Sequence, residues 1–247
     1  MLEFKNVSYQ YDSEDFDIID NLSFSIERGT FNSIIGVSGG GKSTIFKLIN
    51  GLLKPKSGEI TIAGKSIVGL KQYCGYMPQK DLLFPWLTVG ENVAMPLRFK
   101  GKISNKRERV EAVLNDVGLQ GCIDKMPHEL SGGMRQRAAF ARTLLTDSEL
   151  MLLDEPFSAL DFLTRLSMQE WLLEQCLKYN KTILFITHDV EEAILLSDNI
   201  YVAESTPIKE LKKIKVPPEY PRTRKMLEKP EILELRDNLI DKLRNRV

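Results

Sequence analysis

Polar and apolar side chains alternate over residues 2–7 and 22–26, the pattern of strands that bury one face, and the polar stretch 12–17 between them predicts a loop. An early β-rich edge follows from this. An apolar run ending in Ile34 and Ile35 then gives way to small residues and to helical spacing at Ile45, Phe46 and Ile49. That order predicts strand, loop and helix, with the helix running from about Ser43 to Gly51 and Pro55 beyond it. Strands are expected at 59–62 and 75–77, the second closed by Gln79, before an apolar cluster at 82–87 around Pro85. Such a cluster is either core or a groove for a partner. Ser104 is placed to cap a helix with Val110, Val113, Leu114 and Val117 on one face and Gly118 at its end. The region 91–145 reads as mostly helical and is inserted between strands, so a separate lobe is expected.

A continuous apolar run at 150–153 predicts a buried parallel strand, and 183–186 another. Between them a long helix has Leu166, Leu172, Leu173, Cys176 and Leu177 as core. A short strand is expected at 199–203, and Ile214 with Val216 extends an edge sheet. Pro217, Pro218 and Pro221 then break regular structure, and Ile232, Leu235, Leu239 and Leu243 share one face of a terminal amphipathic helix. The whole reads as an α/β chain without internal repeats.

The 247 residues suffice for one large α/β domain or two associated lobes. Lys plus Arg and Asp plus Glu both number 34, so the clustered basic excess of a nucleic-acid binder is missing. Local basic runs at 209–215 and 222–225 read as a solvated face. Cys74, Cys122 and Cys176 have no metal-ligand spacing and read as thiols in a reducing compartment. The first residues have no basic-then-apolar leader pattern, and no run is long enough to span a bilayer. The expectation is a chain that neither crosses a membrane nor is exported, and that another protein must hold if it works there.

The chemistry concentrates at residues 36–44. Gly36, Gly39, Gly40 and Gly41 let backbone N–H groups turn inward around an anion, and the following helix adds its positive end. Lys42 can reach the β- and γ-phosphates and Ser43 can offer its hydroxyl to Mg²⁺. Tyr11 can stack on a purine base or simply pack. Ser131, Gly132 and Gly133 form a second anion-binding helix end, far from the first in sequence, which suggests two surfaces meeting one phosphate. Asp154 and Glu155 close the 150–153 strand: Asp154 can hold Mg²⁺ through its water shell, and Glu155 can polarise a water for attack on the γ-phosphate. His188, beyond the carboxyl end of the 183–186 strand, reads as a γ-phosphate contact, whereas His128 is given a structural role.

As a set these residues resemble the nucleotide-binding subunit of ATP-binding cassette (ABC) transporters. Tyr11 is the aromatic, 36–44 the Walker A loop, Gln79 the Q-loop, 130–136 the signature, 150–155 the Walker B strand, 158–161 the D-loop and His188 the switch histidine. The Leu-Ser-Gly-Gly run between Q-loop and Walker B strand is highly specific. The resemblance implies one nucleotide-binding domain: a P-loop NTPase (RecA-like) core with an antiparallel β edge subdomain over about 1–90 and 146–205, an α-helical subdomain over about 91–145, and a C-terminal edge and helix over 206–247.

It implies ATP bound by Tyr11, Gly36, Ser38, Gly39, Gly40, Gly41, Lys42, Ser43 and Thr44, with Mg²⁺ held by Ser43, Gln79 and Asp154. Glu155, His188 and Gln79 are then catalytic. In a head-to-tail pair of this chain, or of this chain with a related one, Ser131, Gly132, Gly133 and Gln136 meet the partner's ATP and Asp161 serves communication across the dimer. Residues 79–86 accept separate membrane permease subunits. A solute-binding protein acts indirectly, nucleic acid is not a partner, and the place of work is the cytoplasmic face of the membrane, peripherally. The runs 79–89, 91–93, 127–130 and 154–157 are similar to bacterial importers of the nitrate, sulfonate, taurine and pyrimidine-precursor group, without the extra C-terminal regulatory domain of some importers. The rival readings are an exporter ATPase, a soluble ABC-type ATPase of translation or DNA repair, and a small-molecule kinase. One cassette with a compact helical insertion argues against the second, and the lack of an acceptor site against the third.

Overall fold

A computed structural model of the chain describes residues 1–37, 39–70, 73–99, 104–217 and 222–244, apart from the side chains of Cys176 and Leu177. Ser38, Pro218, Pro221 and the side chains of Cys176 and Leu177, on which expectations fell, therefore lie outside the described residues. The elements run β1 (Leu2–Tyr9), β2 (Ile19–Ile26), β3 (Phe31–Gly36), α1 (Lys42–Ile49), β4 (Ser57–Ile62), β5 (Lys65–Ser66) and β6 (Cys74–Met77). Then come α2 (Val89–Val93), α3 (Lys106–Asp116), α4 (Gly132–Leu144), β7 (Leu150–Asp154) and α5 (Phe162–Tyr179). The chain ends with β8 (Thr182–Ile186), α6 (Val190–Leu196), β9 (Asn199–Ala203), β10 (Leu211–Lys215) and α7 (Pro230–Arg244). Two compact units result, one of Met1–Tyr73 with Asn180–Val247 and the other of Cys74–Tyr179.

The first unit carries two sheets. β1 lies between β2 and β4 in an antiparallel sheet extended by β5. Its alternation slips by one at Asn6, where φ is 50° and the register shifts, so Leu2 and Phe4 before the bulge and Val7 and Tyr9 after it all face inward. The second sheet has β3 parallel to both β8 and β9, with β10 antiparallel on β9. β3 and β8 are buried along their whole length, as strands without a solvated face must be. Of the polar side chains buried in these strands, Asn32 donates to Thr30 Oγ1 at 2.8 Å and accepts from Asn199 Nδ2 at 3.0 Å. Tyr201 of β9 ties the sheets together by donating to Ser25 O at 2.8 Å.

The basic runs behave differently from each other. Lys209, Lys212 and Lys213 pair at the surface with Asp20, Glu204 and Glu27. Arg222 corrects the expectation of a solvated face: its side chain is 2% exposed, donates to Ser197 O, and faces Asp198 Oδ1 at 3.5 Å. A buried guanidinium is tolerated because it closes the open carbonyl end of α6.

In the second unit β6 and β7 form a parallel pair, and the helices between them pack on one another. Backbones approach closely where glycine allows it. A Cβ on Gly90 would lie 2.4 Å from Ile123 Cγ1, and one on Gly75 2.9 Å from Thr143 Cγ2. Phe140 of α4 meets Trp171 of α5 edge-on at 5.0 Å. α3 departs from expectation at its start: it is Asn105, at φ 64° and without a side-chain cap bond, that precedes it, and Ser104 is not the cap. Met168, which the pattern did not single out, is buried on α5, while Val113, Leu166, Leu235 and Leu243 are only half-buried.

Candidate functional site

Tyr11, the glycine loop and His188 belong to the first unit; Gln79, the Ser131 helix end, Asp154, Glu155 and Asp161 belong to the second. In the first, β3 ends at Gly36 and α1 begins at Lys42, so the loop occupies the expected strand-to-helix turn. Glycine is required twice over at Gly41: φ is 91°, and an added Cβ would sit 2.6 Å from Ile18 Cγ2. Gly41 stands at the N-cap and supplies no side-chain cap, so the first turn of α1 offers backbone N–H groups and the positive helix end to an anion. Lys42 is 6% exposed and its Nζ donates to Gly36 O at 2.9 Å and Val37 O at 2.8 Å, which holds the ammonium at the loop. Ser43 is exposed beside buried Thr44, whose hydroxyl lies 3.1 Å from Tyr11 OH. Tyr11 also meets Tyr9 edge-on at 4.9 Å, so its ring is packed on one side and half-exposed on the other.

His188 is exposed, two residues beyond the buried end of β8. Its flanks are fixed: Thr187 Oγ1 donates to Glu192 Oε2 at 2.6 Å, and Asp189 Oδ1 accepts from the N–H groups of Glu191 and Glu192 as the N-cap of α6. The imidazole is therefore carried on a rigid strand-to-helix corner.

In the second unit, β7 delivers Asp154, 8% exposed, at its last position and Glu155 just beyond. Glu155 has φ 45°, a conformation costing about 1–3 kcal/mol for a side-chain-bearing residue. Ser158 compensates locally, since its N–H and hydroxyl both donate to Glu155 O. This turn brings the Glu155 carboxylate to Gln79, whose Nε2 donates to Glu155 Oε2 at 3.0 Å and to Ser158 Oγ at 3.3 Å. The amide oxygen of Gln79 stays on the opposite branch. Tyr76, which the sequence pattern did not mark, donates to Asp154 Oδ2 at 3.3 Å, and burial together with the nearby carboxylate pushes its phenol up to about 12.

Ser131 caps α4 as expected, with Oγ accepting from Met134 N–H at 3.3 Å. Gly132 is half-buried and Gly133 is buried, an added Cβ there lying 2.8 Å from Thr164 Cγ2. Gln136, grouped with them in the sequence, is 4% exposed; it lines a small internal space with Phe140 and Trp171 and also borders the cleft beside Gly132. Gln79, Asp81, Gly132, Arg135 and Ser158 line an open cleft of about 550 Å³. Asp161 accepts from Thr164 N–H at 3.1 Å, which holds its carboxyl below the usual range.

The apolar cluster at 82–87 is resolved in favour of a surface. Leu82, Phe84 and Trp86 are exposed and only Leu83 is buried. The backbone of this loop is bound from within by a residue the sequence reading passed over: Asn92, fully buried, accepts from Phe84 N–H at 2.7 Å and donates to the carbonyls of Phe84, Leu87 and Thr88. Arg142 donates to the carbonyls of Asp81 and Leu82, and Arg135 Nε to Asp81 Oδ2 at 3.1 Å. With its polar groups so occupied, the loop turns its apolar side chains outward. His128 is exposed, and Cys74 and Cys122 are thiols, with burial pushing that of Cys74 up to about 12.

The hydroxyl of Ser43, the amide oxygen of Gln79 and the carboxylate of Asp154 are all hard oxygen donors, the set that suits Mg²⁺ rather than a softer metal. A glycine loop at a helix N-terminus and a carboxylate pair closing a buried strand define a P-loop nucleoside-triphosphate hydrolase. A profile of the ABC transporter family matches residues 19–158. The chain is 43% identical over 232 residues to the formylaminopyrimidine import ATP-binding protein ThiZ of Halalkalibacterium halodurans, a match covering 94% of this chain and 90% of that protein. It is 43% identical over 207 residues to the aliphatic sulfonates import ATP-binding protein SsuB of Bacillus cereus, covering 84% and 82% respectively. Among solved structures, the dimeric post-hydrolysis state of the ATP-binding cassette MJ0796, bound to ADP and Pi, superposes with a TM-score of 0.75 at 31% identity, over 89% of this chain and 100% of that one. The chain belongs to the ABC transporter family, as an ATP-binding and ATP-hydrolysing cassette.

Proposed function

We propose that this cassette is the motor subunit of an importer, hydrolysing ATP to drive uptake of a small solute of the sulfonate, nitrate, taurine or pyrimidine-precursor kind through separate permease subunits. The names of the relatives at 43% identity support the direction of transport and the class of solute. The observation that carries a motor, rather than a free-standing hydrolase, is the loop of Leu82, Phe84 and Trp86. It is exposed, apolar, and begins three residues after Gln79, whose amide holds Glu155. A permease segment seated on that loop shifts the same stretch of chain that positions the catalytic carboxylate. Among the described residues no helix is long and apolar enough to cross a membrane.

Each residue then has a role. Tyr11 supports the base; Gly36, Gly39, Gly40, Gly41 and Thr44 with the α1 N-terminus cradle the phosphates, and Lys42 supplies positive charge to them. Ser43, Gln79 and Asp154 hold Mg²⁺, which when bound neutralises charge on the phosphate oxygens. Glu155 accepts the proton of the attacking water, His188 and Gln79 orient the γ-phosphate and that water, and positioning supplies most of the rate. Two cassettes pair head to tail, so Ser131, Gly132 and Gly133 of one face the ATP of the other through the capped end of α4. Gln136 supports this end from inside, and Asp161 at the D-loop turn transmits closure. The place of work is the inner face of the membrane.

The test is affinity capture of the tagged Glu155→Gln chain from gently solubilised native membranes with ATP present. A multi-span permease should copurify, and Mg²⁺-dependent turnover should fall at least about a hundredfold, the usual share of a general base. Recovery with ribosomes or nucleic acid and no membrane protein would refute the transport role.

A further inference from the structure

Asp154 and Tyr76 are 78 residues apart in sequence and brought together by strand register. β6 and β7 pair in parallel with Tyr76 opposite Leu152. Side chains two apart on a strand share a face, so Asp154 stands on the same face as Tyr76, one diagonal step further along. A long aromatic side chain spans that step, and the phenol oxygen reaches Asp154 Oδ2 at 3.3 Å. The strand that carries it has little freedom. Gly75 leaves no room for even a methyl group against Thr143 of α4, and Met77 is 3% exposed. A carboxylate accepts only, so a donor fixed on Oδ2 sets the plane of the group and the direction in which Oδ1 points.

From this geometry we infer that Tyr76 is a positioning residue for the ATPase reaction, holding the Asp154 carboxylate in the orientation that serves Mg²⁺. The inference rests on the reading of Asp154 as the Mg²⁺ carboxylate. Partners of this kind behind a metal-holding carboxylate commonly contribute tenfold or more to metal affinity. Replacing the phenol by a phenyl ring keeps the packing and removes only the donor.

The full chain and its Tyr76→Phe, Asp154→Asn and doubly substituted forms are titrated with a fluorescent ATP analogue across Mg²⁺ concentrations and in excess chelator, with thermal melting of each without nucleotide. Tyr76→Phe should raise the Mg²⁺ concentration for half-maximal binding about tenfold. Affinity in chelator and the melting temperature should stay unchanged, and the substitution should add nothing once Asp154 is Asn. If Asp154→Asn shifts the Mg²⁺ dependence and Tyr76→Phe does not, the inference is overturned while the role of Asp154 stands. If Asp154→Asn causes no shift, the role of Asp154 fails and the inference with it. A Tyr76→Phe protein that melts lower or loses affinity in chelator reveals a packing residue, and also overturns it.

Discussion

Replacing Asn92 by alanine tests how the exposed apolar loop at 82–87 is held. Asn92 is fully buried, and its Oδ1 accepts from Phe84 N–H at 2.7 Å. The two hydrogens on Nδ2 are shared among the carbonyls of Phe84, Leu87 and Thr88 at 3.0–3.1 Å. One accepted bond and two donated ones make three full-strength interactions, and at about 1 kcal/mol each their loss costs about 3 kcal/mol. In a chain of this length that lowers the melting temperature by about 6–12 °C. Asn92→Asp keeps the acceptor but sets a carboxylate oxygen against three carbonyl oxygens in a buried place, so it should be at least as damaging. Scanning calorimetry of both variants gives the stability, and titration with a fluorescent ATP analogue gives the nucleotide affinity, which should not change. An alanine variant melting within about 2 °C of the unmodified protein would show that Arg142 alone suffices to hold the loop, and would refute the accounting.

Two further outcomes are expected. Gly41→Ala combines a φ of 91° with an overlap at 2.6 Å, whereas Gly64 has a φ of 75° and open space around it. Gly64→Ala should cost about 1 kcal/mol from backbone strain, while Gly41→Ala should cost more and weaken ATP binding at least about tenfold; equal melting temperatures would remove the overlap from the explanation. Burial, and secondarily Glu27, push the Tyr201 phenol from 10.0 up to about 12. Folding thus favours the neutral phenol, and its contribution is complete below pH 10 and is lost as pH rises through about 12. Denaturant midpoints should therefore fall over that interval, and Tyr201→Phe should flatten the fall although it starts lower through loss of the bond to Ser25 O.

The sequence by itself determined what depends on neighbours along the chain. Glycine spacing with a strand before and a helix after marked the phosphate loop, the Ser131 cap was readable because its bond spans three residues, and apolar runs announced β7, β8 and the end of β3 at Ile34 and Ile35. The apolar cluster at 82–87 could be located but not oriented. Whether Phe84 and Trp86 face the core or the solvent depends on where the loop backbone finds its hydrogen bonds, and that was decided by Asn92 and Arg142.

Tertiary structure alone decided the rest. Asn6 shifts the inward face of β1 by one residue, the lone Tyr76 becomes a partner of Asp154 only through the β6–β7 register, and Arg222 looks like any surface arginine until its guanidinium closes α6. The physical reason is common to all three. A side chain's periodicity reports its own element, but a hydrogen bond between distant elements depends on register and approach, which no short window of sequence contains.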